Sequence, residues 1–140
     1  MPSVKSLLLL PLAALARLSA GYITHVTAPA EAVAAGANVR ATLTAAIYIQ
    51  NWDDFGIVWG LRPAGTPSCG SVVCVGRRIA YTPLYPDHVP QPGSFDIDVL
   101  IPPETAPGEY DLVAAIPYLV GASGVTAIQT YNVSVRVEAP

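Results

Sequence analysis

The sequence predicts an all-β protein, a single immunoglobulin-like or fibronectin-like sandwich of about seven strands. Beyond residue 20, apolar and polar residues alternate at period two, and no segment keeps helical spacing for long. The alternating runs are short and punctuated by Gly, Pro and Asn, the pattern of strands joined by turns. Residues 21–140 amount to one domain by length, enough for one core.

The chain opens MPSVKSLLLLPLAALARLSA, with Lys5 ahead of an apolar run and small residues where the run stops. That is the layout of a secretory signal peptide, so residues 1–20 are read as a leader and 21–140 as the mature domain. Cleavage after Ala20 leaves Leu18 three residues before the cut, a less usual choice, and Ala14-Leu15-Ala16 offers another site. The run is shorter than the ~20 residues that cross a bilayer, and no membrane span is expected. Lys5 and Arg17 leave with the leader, so five arginines face ten acidic residues and the net charge moves from −3 to −5. An acidic chain without lysine lacks the basic stripe that binds nucleic acid.

The strands follow in order. YITHVTAP comes first, and NVRATLTAAIYIQ then sets Val39, Ala41, Leu43, Ala45, Ile47 and Ile49 on one face, against Arg40, Thr42, Thr44, Tyr48 and Gln50. DFGIVWGLRP groups Phe55, Ile57, Trp59 and Leu61, and Trp59 reads as the buried aromatic of a central strand. SVVCVGRRIAYTP is the next strand region, and the proline-rich residues 83–92 read as a loop between sheets. SFDIDVLIP turns Phe95, Ile97, Val99 and Ile101 inward and Ser94, Asp96 and Asp98 outward. EYDLVAAIPYLV and TYNVSVRVEAP close the domain around a GASG hairpin loop, with Tyr131, Val133, Val135 and Val137 inward.

Several residues invite a chemical reading. Cys69 and Cys74 in CGSVVC follow a secretion signal, so a disulfide is expected, pinning a local loop. IPPETAPGEYDL lies where such a sandwich crosses from one sheet to the other, and Tyr110 fits a tyrosine corner, its hydroxyl returning to backbone upstream. Glu109 and Asp111 then read as solvated flanks, and no catalytic residues are expected. Asp53-Asp54 and Asp96-x-Asp98 lack the oxygen-rich spacing of a calcium loop and read as solvated acids. His25 and His88 would suit copper only if cleavage after Thr24 made His25 the amino terminus, so no metal or other cofactor is expected. Asn132-Val133-Ser134 is an N-glycosylation sequon on the polar face of the last strand, where a glycan would point to solvent.

In YIQNWDDFG, Tyr48, Gln50, Asn51 and Trp52 are the candidate partner-binding residues, at the end of a strand where loops gather. Trp52 has two readings: free in solvent, or folded back over the edge of the core. AAIYIQNWDDFGIVWGLRPAG and PPETAPGEYDLVAAIPYLVGASGV, followed by TYNVSVRV, are similar to the necrosis-inducing secreted protein family of filamentous fungi. The CGSVVC insert departs from the family pattern. The resemblance implies a monomeric, non-enzymatic secreted effector, acting outside or inside host plant cells, that suppresses pattern-triggered immunity and induces cell death in some plants. It implies as partners host receptor-like kinases, including the shared leucine-rich-repeat co-receptor kinase, and a receptor-like cytoplasmic kinase. A carbohydrate-binding module is the competing class, with Trp52, Tyr81 and Tyr85 as candidate sugar platforms.

Overall fold

The computed structural model describes residues 21–48 and 51–140. The leader and the positions Ile49 and Gln50 therefore lie outside the described residues. Among these residues the strands in chain order are β1 Gly21–Thr27, β2 Val33–Ala34, β3 Asn38–Ile47, β4 Trp52–Asp54, β5 Gly56–Pro63, β6 Arg77–Pro83, β7 Gly93–Leu100, β8 Gly108–Val120 and β9 Val125–Glu138. The two beyond the expected seven are β2 and β4, of two and three residues. Strands that short have no alternation to read. No helix is long and apolar enough to cross a membrane among the described residues.

The strands form two sheets. One has the order β1-β3-β7; the other has the order β2-β9-β8-β5-β6, with β4 added against β8. Pairing is antiparallel except between β2 and β9. This is the immunoglobulin-type arrangement, in which the chain passes repeatedly from one sheet to the other. Residues 84–92, between β6 and β7, and residues 101–107, between β7 and β8, are two such crossings.

The inward faces make one core. Val39, Ala41 and Leu43 of β3, with Val99 of β7, meet Ile57, Trp59 and Leu61 of β5 and Leu112, Ala114 and Ile116 of β8. Trp59 is wholly buried, and its indole N–H donates to the Thr82 hydroxyl at 3.0 Å. A buried indole needs such an acceptor to avoid stranding its donor. Tyr110, in the first residues of β8, donates its hydroxyl to the Ala106 carbonyl at 2.7 Å, the geometry of a tyrosine corner. Beside it Glu109 is exposed and pairs with Arg136 at 2.7 Å, whereas Asp111 is half-buried, 3.6 Å from Arg62.

Ile47 corrects the expected inward face of β3: it is 70% exposed. The pairing of β3 with β7 ends at Ala45, and Ile47 faces only Gly21, the first residue of β1. Beyond that point no opposing sheet covers the strand, so period two continues while burial does not. Phe55 also leaves the inward row. It sits between β4 and β5, half-buried, its ring edge-on to Tyr85 at 5.8 Å.

The Cys69–Cys74 bridge closes part of the β5–β6 connection. This loop crosses the outer face of the larger sheet. Arg62 donates from Nη1 to the Cys74 carbonyl at 3.2 Å. A Cβ on Gly60 would fall 2.0 Å from the Val75 carbonyl oxygen, so the crossing requires glycine there. Val113, paired with Gly60 on the same face, is only 1% exposed.

Candidate functional site

At the open end of the sandwich, four aromatic side chains from four segments come together. Tyr22 comes from β1, Tyr48 from the residue after β3, Trp52 from β4 and Tyr118 from β8. Trp52 lies at the centre. Its ring stacks on Tyr118 at 4.3 Å and 12°, meets Tyr22 at 4.7 Å and takes Tyr48 edge-on at 4.9 Å. Tyr22 and Tyr48 also touch edge-to-face at 5.2 Å. Offset stacks and edge contacts are the favoured aromatic geometries, each worth about 0.5–1.5 kcal/mol beyond area burial.

Beneath the rings lies Asp54, 2% exposed. This corrects its reading as a solvated acid. Its Oδ2 accepts from the Ile23 backbone N–H at 2.8 Å, and its Oδ1 accepts from the Trp52 indole N–H at 2.9 Å. The carboxylate therefore ties β1 to β4. Burial pushes the Asp54 carboxyl above its ordinary value of 3.8, against the lowering effect of its two donors, and the neighbouring Asp53 adds to the rise. Tyr131 completes this floor: its hydroxyl donates to the Ile23 carbonyl at 2.9 Å. The Tyr131 phenol is raised too, first by burial and then by the Asp54 and Tyr22 charges.

The predicted binding residues divide accordingly. Tyr48 is 36% exposed and Asn51 is exposed, its carbonyl accepting from Gly121 N–H at 2.8 Å. Trp52 is half-buried, with one face on Tyr118 and its N–H on Asp54, so the reading that leaves it free in solvent is corrected in favour of the one that folds it back. A Trp52→Ala variant is accordingly expected to lose stability. Gln50 lies outside the described residues. Sequence reasoning missed Tyr22, Tyr118, Asp54 and the outward Ile47. Tyr118 faces Asp54 across the β4–β8 register, a pairing between residues far apart in the chain.

The site's chemistry is that of an anchored aromatic surface. Both Asp54 oxygens are taken by protein donors. His25 is exposed on β1 and its Nδ1 lies 3.1 Å from the Thr24 hydroxyl, while His88 stands on the β6–β7 loop. No group of three or more His, Cys, Asp or Glu is placed to hold a metal ion among the described residues. Asp96 and Asp98 remain at the surface, bonded to Thr42 at 2.7 Å and Arg40 at 3.1 Å. Tyr81 and Tyr85 are exposed, while Trp52 has one face occupied and offers less of a sugar platform.

Comparison with known proteins places this architecture. The chain is 30% identical over 125 residues to necrosis-inducing secreted protein 1 of Colletotrichum orbiculare, covering 89% of this chain and 75% of that relative. It is 32% identical over 107 residues to the protein of the same name from Colletotrichum higginsianum, covering 76% of this chain and 72% of the relative. Both relatives carry secretion in their names. The match to the Nis1 family spans residues 19–136 and takes in both sheets, the aromatic end and the disulfide loop, so the chain belongs to the Nis1 family.

Proposed function

We propose that this chain is a secreted necrosis-inducing effector that suppresses plant pattern-triggered immunity by binding receptor-like kinases through its aromatic end. The observation that carries the reading is the contrast within that end. Tyr48, 36% exposed, projects beside a Trp52 ring held from below by Asp54, and Ile47, 70% exposed, precedes it at the end of β3. An exposed aromatic side chain on a rigid base loses little freedom on binding, and interface hot spots are enriched in Tyr and Trp. Family membership and the names of the relatives support the effector role. The protein then works by binding rather than by catalysis.

The test uses Ile47→Asp and Tyr48→Ala on purified protein, since both residues stand outside the core cluster. Each is expected to weaken association with the co-receptor kinase at least tenfold, about 1.4 kcal/mol; the melting temperature should stay nearly unchanged in Ile47→Asp and fall in Tyr48→Ala, which gives up its edge contacts with Trp52 and Tyr22. Separate ectodomain and kinase-domain probes report on which side of the host membrane contact occurs. The same variants should lose suppression of the elicitor-triggered oxidative burst in leaf tissue. Unchanged affinity in both variants would place the interface elsewhere. Retention of the wild type on chitin, cellulose or glucan without kinase binding would instead support a carbohydrate-binding module.

A further inference from the structure

The aromatic end makes no use of the Asn132-Val133-Ser134 sequon. Asn132 is exposed and pairs with Val113, which puts it on the outer face of the larger sheet beside Gly60. The disulfide loop crosses that same face, and a cleft of about 460 Å³ lies between loop and sheet. Asn132 lines the cleft. Its side chain therefore borders a recess as well as the open solvent that its strand position suggested.

The lining suits a sugar. Ser71 and Thr130 bring hydroxyls, and Val72 and Val73, 64% and 41% exposed, bring an apolar surface with nothing over it. Arg62 also lines the cleft; it gives one donor to the Cys74 carbonyl, and its Nε lies 3.6 Å from Asp111. A hexosamine has a C–H face to lie on valines and hydroxyl and acetamide groups to meet polar side chains. The volume falls within the ~300–1,000 Å³ of small-ligand pockets. We infer that Asn132 carries an N-linked glycan whose first two N-acetylglucosamine residues seat in this cleft, between the disulfide loop and the sheet.

The donor is a lipid-pyrophosphate-linked oligosaccharide of the secretory pathway. Transfer forms the bond from Asn132 Nδ2 to the sugar C1 and breaks the bond from C1 to the pyrophosphate oxygen. The carboxamide nitrogen gives up one proton, and the lipid pyrophosphate leaves. The seated sugars cover Val72 and Val73 and restrain the loop from its open side.

Intact-mass measurement on protein secreted from a eukaryotic host tests attachment. One glycan is expected on the wild type and none on Asn132→Gln or Ser134→Ala; an unmodified wild type overturns the inference. Hydrogen exchange of residues 69–76 tests the seating, comparing the glycosylated wild type with the same protein after enzymatic removal of the glycan. Exchange is expected to be at least tenfold slower with the glycan present. Equal exchange in the two forms overturns the seating, and this comparison stands even where a variant fails to be secreted.

Discussion

The aromatic end bridges the two sheets, whereas the disulfide loop lies against the larger one alone, and the two are held in opposite ways. At the aromatic end, Asp54 joins β1 to β4 from inside, through two hydrogen bonds under a cluster of four rings. The loop is held from outside by the Cys69–Cys74 bridge and the contact from Arg62 to Cys74. The first arrangement is continuous with the core, since Ile23 and Trp59 belong to one buried cluster. The second rests on a sheet that is complete without it. Damage to the aromatic end should therefore appear as lost global stability, whereas the loop can loosen while the domain stays folded.

The largest effect is expected from Asp54→Ala. It leaves the Ile23 N–H and the Trp52 indole N–H without acceptors in a buried site. Each stranded donor costs about 1–3 kcal/mol, so roughly 3 kcal/mol should be lost in urea denaturation. A change below about 1 kcal/mol, the size of one ordinary hydrogen bond, would break the contrast between the two regions. The double substitution Cys69→Ser with Cys74→Ser ranks next. The loop it opens has four residues between its cysteines, and the chain-entropy relation gives about 2 kcal/mol as an upper figure. Hydrogen exchange should rise in residues 69–76 well before it rises in β8. Equal acceleration in both would show the bridge holding the whole fold.

Tyr110→Phe supplies a reference at the crossing between the sheets. It removes the hydroxyl bond to Ala106 and should cost about 1 kcal/mol, with the fold kept. An unchanged melting temperature would refute the corner. The finest distinction lies in pH dependence. Burial raises the Asp54 carboxyl in the folded state above its ordinary 3.8. The folded protein then holds that proton more tightly than the unfolded chain, so this contribution is full below the unfolded value and declines as pH rises through the folded one. Relative to Asp54→Asn, which does not titrate, the wild type should lose stability as pH increases from about 4 toward neutrality. A constant difference across that range would show that burial leaves the carboxyl unperturbed.

The legible parts of the fold were those carried by neighbours in the chain. Alternation in residues 38–45 and 95–101 reports which side chains turn inward, because successive residues of a strand point to opposite faces. The same rule placed Trp59, and the prolines before Tyr110 marked the crossing between sheets. Ile47 shows where the rule stops: its parity is inward, but the opposing sheet has ended. Asp54 shows the reverse, an acid beside another acid that reads as solvated until β1 and the rings close over it.

By itself, the sequence determined the all-β class, the crossing at Tyr110, the buried Trp59 and the polar faces of the alternating strands, since each follows from period, turn chemistry or side-chain type within a few residues. Only the tertiary structure decided that Tyr22, Tyr48, Trp52 and Tyr118 share one cluster above Asp54, and that Asn132 lies in a cleft under the disulfide loop. Those arrangements depend on register between strands up to about a hundred residues apart, as in the 108-residue separation bridged from Tyr131 to Ile23. A one-residue slip in such a register moves every side chain to the other face, and no local pattern records which register closes the core.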